Sequence, residues 1–327
     1  MPLSMTAALA APHPSGAIGA RLEGDRWHFQ HGPIELVIGV DGAPQAVEAA
    51  LLQAWQRFTG VLSELVAELP VLRKPAGPDA LSQGRVATRM LLACRPYASQ
   101  VFVTPMAAVA GSVADELIGF FSSPGIERAY INNGGDIALH LGPRSHYKVG
   151  LFSDLARYQG DAIDLDGSFT IDATMPVRGI ATSGWRGRSF SLGIADSVTV
   201  LAADAAKADV AATLVANQVN VQHSAVRRAP ANTLKDDTDL GARLVTVEVG
   251  ALPKAAIDAA LDQAAAYAER LCDQGVINGA VLMLQGSVRA VGMPAAAGHA
   301  QFSRLVAASY NKAQTPIGLC AKQTSLK

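Results

Sequence analysis

The sequence predicts an α+β fold in which a long, mainly antiparallel sheet is flanked by helices. The first observation is a long stretch near the N-terminus whose apolar residues recur at three- and four-residue intervals, the period of an α-helix. The second is the region from Glu127 to Ala203, where short apolar runs alternate with glycine, aspartate, asparagine and proline. Such punctuation is typical of a meandering antiparallel sheet. Half of the 327 residues are apolar and 17% are charged, so the chain can bury a large core.

The N-terminal region predicts an arm followed by a hairpin. Residues 1–20 contain prolines and glycine without apolar periodicity, which predicts a mobile arm. From Arg21 to Gln30 and from Ile34 to Val40, apolar and polar residues alternate on either side of a His-Gly-Pro turn sequence. Alternation of this kind around a turn signal predicts a β-hairpin.

Four later segments have the helical period. The clearest, from Val47 to Leu69, carries one apolar stripe. The others run from about Pro105 to Phe121, from Asp204 to Val215 and from Lys254 to Cys272. Residues 73–84 are rich in proline, glycine and lysine and predict a linker.

Apolar runs bounded by turn residues predict the strands of the sheet. They lie at 129–131, 137–141, 148–152, 168–172, 197–202, 243–249 and 279–291. The polar stretch 221–241 predicts loops. No internal repeat divides the chain, so we expect one α+β domain over residues 21–292 and a C-terminal tail over 293–327.

Composition excludes several classes of function. The net charge of −1 does not favour nucleic acid or an anionic membrane as a partner. No apolar run is long enough to span a bilayer, and the N-terminus lacks the positive charge that begins a signal peptide. The cysteines, Cys94, Cys272 and Cys320, are too far apart for a zinc motif and are typical of a reducing compartment. A cytoplasmic protein is therefore expected.

The first segment that could carry chemistry is the sequence Asn132-Asn133-Gly134-Gly135-Asp136 between two predicted strands. Paired glycines let backbone amides approach a ligand closely, and the flanking polar side chains can bind it. Asn-Gly is also the strongest signal for an ordinary hairpin turn. From these five residues alone, a ligand site and a simple turn are equally favoured.

The second segment is Thr182-Ser183-Gly184 at the end of a predicted strand, followed by Arg188. Small residues and hydroxyls at a strand end can receive a phosphate or ribose, and a guanidinium adds a charged fork. The serine is not in the GxSxG motif of acyl-enzyme hydrolases. A polar loop explains this segment equally well.

The third segment is a helix that carries Asp209 and Thr213 directly after a predicted strand. A spacing of four residues places the carboxylate and the hydroxyl on one helical face, and both are oxygen ligands that magnesium prefers. Two solvated helix residues are the simpler interpretation of this pair. An EF-hand, a Rossmann fingerprint and a Walker loop are all absent from the sequence.

Taken in order, the three segments resemble a known family. The series INNGGDIAL, GIATSG and SVTVLAADAAKADVAATLV, over residues 129–216, is similar to the ApbE-type FAD:protein FMN transferases. Further phrases, PMAAVAGSVAD, GRSFSLGIADSVTV and INGAVLMLQG, resemble the uncharacterised ApbE-like group and extend the similarity over residues 30–292. The resemblance implies the α+β fold with a long antiparallel sheet.

The resemblance also implies a chemistry. In these transferases FAD binds with magnesium at its pyrophosphate, FMN passes to a Thr or Ser hydroxyl of an acceptor protein, and AMP leaves. By motif, Asp209 and Thr213 would be the metal ligands. The NNGGD turn would contact the dinucleotide, and the ATSG segment would line the same cleft. The implied cofactor-binding residues are Asn133, Gly134, Gly135, Asp136, Thr182, Ser183, Gly184 and Arg188.

Two departures from the family pattern keep alternatives open. The transferases carry a histidine before SVTV, where this chain has only Ser189 to Asp196, and the KGYAxD segment of the family is missing. Asp196 is the one acid at that point and is the candidate base or metal ligand beside Asp209. The alternatives are a non-catalytic flavin-binding or assembly protein and an enzyme of the same fold with a non-flavin substrate.

Overall fold

The structure is a computed structural model that describes residues 13–151 and 167–292, together with Met5 and Leu9. Most of the predicted N-terminal arm, the whole predicted tail and the end of the strand predicted at 148–152 lie outside the described residues. Strand formation begins at Ile18, so the arm ends before that residue.

The described residues form a mixed α+β fold dominated by strands. The strands are β1 (Ile18–Leu22), β2 (Arg26–His31), β3 (Ile34–Gly42), β4 (Ile126–Asn133), β5 (Asp136–Leu141), β6 (His146–Leu151), β7 (Gly167–Asp172), β8 (Gly179–Ser183), β9 (Ser197–Ala202), β10 (Val226–Pro230), β11 (Leu244–Val249), β12 (Gly279–Leu284) and β13 (Ser287–Val291). The α-helices are α1 (Pro44–Leu72), α2 (Arg85–Cys94), α3 (Val109–Ile118), α4 (Ala205–Gln218) and α5 (Lys254–Asp273).

Nine of these strands form one sheet, in the order β1-β2-β3-β4-β5-β8-β9-β12-β13. Its assigned strand pairs are antiparallel. Two smaller antiparallel pairs, β10 with β11 and β6 with β7, stand apart from it. The predicted fold class, a long antiparallel sheet with flanking helices, is confirmed. None of the helices within the described ranges is long and apolar enough to cross a membrane.

Residue contacts group the chain into two compact units. Unit 1 comprises residues 1–145, 178–181 and 202–210, and unit 2 comprises 146–177, 182–201 and 211–327. The two units interleave along the sequence, so neither is a continuous segment.

The core of unit 1 forms between α1 and the first three strands. β2 and β3 pair in antiparallel register, with Phe29 opposite Leu36, and both side chains are fully buried. The α1 stripe provides Trp55 and Phe58, whose rings lie 5.0 and 5.5 Å from that of Phe29 between centroids. Burial of rings at such distances contributes both apolar area and edge-to-face attraction. Pro44 occupies the first turn of α1, where its missing N–H costs nothing.

The core of unit 2 forms around β9 and β12, which are buried along their whole length. They pair antiparallel, with Val198 opposite Leu282. The helix α5 packs on β12 and β13 through a buried face that includes Ile257 and Leu261. Strands buried on both faces read as continuous apolar runs, which is why these two were visible in the sequence.

The sequence predictions differ from the structure at several places. The strand predicted from Arg21 to Gln30 is interrupted by the turn between β1 and β2. The helix α2 was not expected after the linker, although Val86, Met90 and Leu91 are buried at helical spacing. The prediction of loops over 221–241 is wrong for β10. The predicted helix at 105–121 has 3-10 turns at both ends of α3. The predicted strand at 279–291 is the hairpin β12–β13, whose turn residues Gln285 and Gly286 both have positive φ.

Candidate functional site

The NNGGD segment forms a tight hairpin turn between β4 and β5 in unit 1. Gly134 and Gly135 adopt φ angles of +66° and +117°, which favour glycine because a Cβ would clash with the backbone. Asn133 pairs with Asp136 across the turn, and the side-chain oxygen of Asn132 accepts a hydrogen bond of 2.8 Å from the Gly135 N–H. The turn is therefore rigid and determined by its sequence.

Asn133 fixes this turn against the beginning of α3. Its side chain is buried, and its Nδ2 atom donates a hydrogen bond of 3.0 Å to the carbonyl oxygen of Ala110. A buried amide needs such a partner, because an unpaired one costs about 1–3 kcal/mol. The GGD turn and the first turn of α3 consequently form one polar cluster.

Asp209 lies on α4 and joins the same cluster. It is half-buried, and its Oδ2 atom accepts a hydrogen bond of 2.9 Å from the N–H of Gly111. Burial raises the pKa of Asp209 well above its usual value, and the negative charge of Asp136 raises it further. Hydrogen bonds from the amides of Ala110 and Gly111 act in the opposite direction. The structure thus brings together Asp136 and Asp209, two residues predicted from different segments.

The donor atoms in this cluster suit a hard divalent cation. Two carboxylates that repel each other in a partly desolvated site are stabilised by a positive charge between or beside them. Thr213 lies one turn after Asp209 on α4 and is also half-buried. Among the described residues, no group of three or more His, Cys, Asp or Glu side chains is arranged to hold a metal ion. Magnesium in proteins commonly keeps hydroxyl, water or phosphate oxygens in its shell besides one or two carboxylates.

The second predicted segment is built into unit 2. The hydroxyls of Thr182 and Thr199 are hydrogen-bonded at 2.8 Å on β8 and β9. Ser183 is half-buried, and Gly184 is buried where an added Cβ would lie 2.4 Å from the carbonyl oxygen of Asp196. Glycine is thus required at position 184 by the close approach of two chain segments.

Asp196 holds a hairpin turn in unit 2. Its Oδ2 atom accepts a hydrogen bond of 2.5 Å from the N–H of Gln285, which has a positive φ of 44°. The Gln285 side chain in turn accepts from the N–H of Leu252 and donates to the carbonyl oxygen of Gly250. One oxygen of Asp196 therefore has a structural partner, which the sequence did not predict.

Arg188 is exposed in the turn that follows Gly184. Two residues earlier, the guanidinium of Arg186 lies over the ring of Trp185, 5.1 Å from its centroid. The indole N–H of Trp185 is buried and has no hydrogen-bond partner among the residues that the structure describes. The segment 185–188 thus combines two arginines with an aromatic ring and an N–H donor.

The short segment before β9 is fixed by side chains that sequence reasoning missed. Asn217 accepts a hydrogen bond of 2.9 Å from the N–H of Leu192, and Asn220 donates one of 3.2 Å to its carbonyl oxygen. The hydroxyl of Thr246 donates to the carbonyl oxygen of Gly193 at 2.7 Å. These three side chains lie 25 to 53 residues from the segment in the sequence, so no local pattern predicted the contacts.

A comparison with protein families gives one match over most of the chain. The family model described as AbpE bacteria matches residues 19–290. This range contains the β4–β5 turn, Asp209, Thr213 and the segment 182–196.

Curated proteins similar to this chain include several UPF0280 proteins. The chain is 34% identical over 160 residues to a UPF0280 protein of Methanothermobacter thermautotrophicus, which covers 49% of this chain and 58% of the relative. It is 38% identical over 118 residues to a UPF0280 protein of Methanosphaerula palustris, covering 36% and 47%. The matched region spans about half the length of the relatives.

Solved structures of similar chains are ApbE proteins. The chain aligns with the flavin transferase ApbE from Vibrio cholerae at a TM-score of 0.41 and 11% identity, covering 84% of this chain and 95% of that one. It aligns with the ApbE protein from Thermotoga maritima at a TM-score of 0.37 and 13% identity, covering 79% and 93%.

Proposed function

The chain belongs to the AbpE bacteria family, whose model matches residues 19–290, and from this membership and the Asp136–Asp209 cluster we propose that it binds FAD together with magnesium. The further step is cleavage of the FAD pyrophosphate with transfer of FMN to a Thr or Ser hydroxyl of an acceptor protein. In that step the hydroxyl oxygen bonds to the FMN phosphorus, the bond from that phosphorus to the AMP oxygen breaks, and AMP leaves. The hydroxyl proton passes to a base.

The observation that carries the proposal is the placement of Asp209. Its carboxylate is partly buried, faces the charge of Asp136 and sits beside the glycine turn. A carboxylate whose pKa is raised by desolvation and by a neighbouring acid is typical of a cation or phosphate-metal site. When bound, magnesium supplies charge neutralisation at the pyrophosphate and at the leaving oxygen.

The residues of this chain would bind the metal, bind the dinucleotide and accept the proton. Asp209 and Thr213 would supply oxygen ligands, and the amides of Gly134 and Gly135 would approach the dinucleotide without obstruction from a Cβ. Thr182, Ser183 and Arg188 would contact the phosphates or ribose. Asp196 is the proposed base, through the oxygen that does not bind Gln285.

A specific observation favours the second candidate, a flavin-binding or assembly protein without transfer activity. The segment from Ser189 to Asp196 has no histidine, and hydrogen bonds with the side chains of Asn217, Asn220 and Thr246 fix its middle. Asp196 already binds the Gln285 amide. A fixed segment whose one acid has a structural partner is poorly suited to proton transfer, so binding without transfer is the natural alternative.

AMP release separates the two candidates. Purified protein is incubated with FAD and a serine- or threonine-containing acceptor fraction, with and without magnesium, and AMP is quantified. Magnesium-dependent AMP that is lost in Asp209→Asn supports transfer, with Asp262→Asn, an exposed carboxylate on α5, as the control. FAD binding without AMP under all conditions favours the non-catalytic candidate, and no FAD binding favours a non-flavin substrate.

A further inference from the structure

The helices α3 and α4 are connected in both directions. Each helix carries an aspartate whose carboxylate accepts hydrogen bonds from the backbone of the other helix. Asp115, on α3, accepts hydrogen bonds from the N–H groups of Ala205 and Ala206, at 3.0 and 2.8 Å, with one oxygen for each. These two groups belong to the first turn of α4, whose amides have no partner within the helix. Asp115 therefore caps α4 from a neighbouring helix 90 residues away in the sequence.

The connection in the other direction is made by the proposed metal ligand. Asp209, one turn into α4, accepts a hydrogen bond from the N–H of Gly111 near the beginning of α3. At this point the backbones touch, because a Cβ at Gly111 would lie 2.2 Å from the carbonyl oxygen of Ala205. Three hydrogen bonds and one backbone contact therefore determine the separation and rotation of the beginning of α4 on α3.

We infer that Asp115 is a positioning residue that keeps the Asp209 carboxylate in place for its ligand. The inference rests on the proposed function, because it assumes that Asp209 binds a cation. By binding the N–H groups of Ala205 and Ala206, Asp115 sets the axial position and the rotation of the first turn of α4, which precedes Asp209. Loss of this contact would let α4 shift, and the Gly111–Asp209 hydrogen bond would lengthen.

Simple helix capping does not explain Asp115. Asp204, which directly precedes α4, already accepts a hydrogen bond of 2.8 Å from the N–H of Lys207, as an N-cap residue does. Asp115 is half-buried, and desolvation raises its pKa to about 6 despite both backbone hydrogen bonds. The protein retains this carboxylate at a desolvation cost although α4 already has a cap, which fits a positional role better than a stabilising one.

The two capping aspartates offer a matched pair of variants. Asp115→Asn places an amide N–H₂ against one of the two helix N–H groups, whereas Asp204→Asn removes a carboxylate from the same helix end without touching α3. The affinity for Mn²⁺ alone, measured by electron paramagnetic resonance, is the first readout. We expect Asp115→Asn to weaken Mn²⁺ binding by roughly 10- to 100-fold, as for other residues that support metal ligands. Asp204→Asn should leave it unchanged, even at an equal loss of melting temperature.

A second readout is independent of any ligand. The amide of Gly111 reports the Asp209 hydrogen bond through its proton chemical shift and hydrogen exchange in the metal-free protein. We expect an upfield shift and faster exchange in Asp115→Asn but not in Asp204→Asn. Equal Gly111 signals in both variants, or equal Mn²⁺ affinities, would overturn the positioning role.

The two readouts also separate failure of this inference from failure of the proposed function. If the unmodified protein binds no Mn²⁺ while the Gly111 signal changes only in Asp115→Asn, Asp115 positions Asp209 and the metal proposal is wrong. If Mn²⁺ binds equally to both variants, the metal proposal stands and the role of Asp115 is refuted.

Discussion

At the scale of single residues, the chain keeps two acids in places that are unfavourable for charge. Burial raises the pKa of both Asp209 and Asp115, and in each case another acid, Asp136 or Asp204, adds to the effect. Natural proteins keep such groups where function requires them and lose stability in return. The stability of the metal-free protein should therefore respond to the removal of either charge.

The first prediction concerns Asp209→Asn. An asparagine can still accept the Gly111 N–H, and it removes the repulsion with Asp136. We expect the metal-free protein to gain about 1–2 kcal/mol of unfolding free energy at pH 8, in line with other functional-site trade-offs. Thermal melting in EDTA measures the gain, and Asp262→Asn on the surface should give none. A loss of stability would show that the carboxylate is structural.

The second prediction concerns the pH dependence that Asp115 confers. Its folded pKa of about 6 lies above the ordinary value of 3.8, so between these pH values the folded state binds more protons than the unfolded one. Its contribution to stability is thus fully present below pH 3.8 and is lost as pH rises through about 6. A displacement of this size corresponds to roughly 3 kcal/mol at most.

Denaturant unfolding between pH 4.5 and 7.5 tests this linkage. The free energy of unfolding should fall less steeply with pH in Asp115→Asn than in the unmodified protein. Asp204→Asn, at the same helix end, serves as the control and should retain most of the slope. Parallel curves for the unmodified protein and Asp115→Asn would contradict the raised pKa.

At the scale of elements, backbone contacts rather than side-chain packing set the site. The β4–β5 turn needs positive φ at Gly134 and Gly135, and α3 can approach α4 only because position 111 has no Cβ. Such constraints are visible in a sequence only as isolated glycines. The GGD turn was predictable because Asn-Gly between two apolar runs is a strong hairpin signal. Gly111 and Asp115 are inside a helix and entered the sequence analysis only as part of the phrase PMAAVAGSVAD, without a role of their own.

The third prediction compares two substitutions in the GGD turn. Gly134 has a φ of +66°, which asparagine tolerates, whereas Gly135 has a φ of +117°, which it does not. We expect Gly135→Asn to cost about 1–3 kcal/mol of unfolding free energy and Gly134→Asn much less. Urea unfolding measures both. Equal costs would mean that the turn adopts another conformation.

The fourth prediction concerns the spacing of α3 and α4. Gly111→Ala places a Cβ against the backbone of Ala205, and overpacking of this kind costs about 1–3 kcal/mol. Gly119→Ala, just after the end of α3, has open space around the new methyl group and should be neutral or slightly stabilising. Differential scanning calorimetry of the two variants compares the effects. A neutral Gly111→Ala would show that the two helices are not closely packed.

At the scale of the whole molecule, the sequence predicted what local periodicity determines. The α1 stripe, the buried strands β9 and β12 and the helix α5 were recognisable because each repeats one burial pattern along its length. The strand β10 was missed because it is short and its two arginines interrupt the apolar pattern. It is a strand because it pairs with β11. The helix α2 was missed because it follows a linker and is short.

The candidate site was predicted unevenly for the same reason. Asp136 and Asp209 were named from segments 73 residues apart, and only the order of several motifs connected them. The partners of Asp196 and the cap that Asp115 gives to α4 depend on contacts between residues about 90 positions apart. No periodicity or motif encodes such contacts, so the structure was needed to find them.

We propose that Asp209 helps to bind a flavin dinucleotide through magnesium. The affinity for FAD, measured by quenching of flavin fluorescence with and without magnesium in the unmodified protein and in Asp209→Asn, tests this role. We expect magnesium to tighten FAD binding and this gain to disappear in Asp209→Asn. An FAD affinity that magnesium does not change, or a gain that survives the substitution, would contradict it.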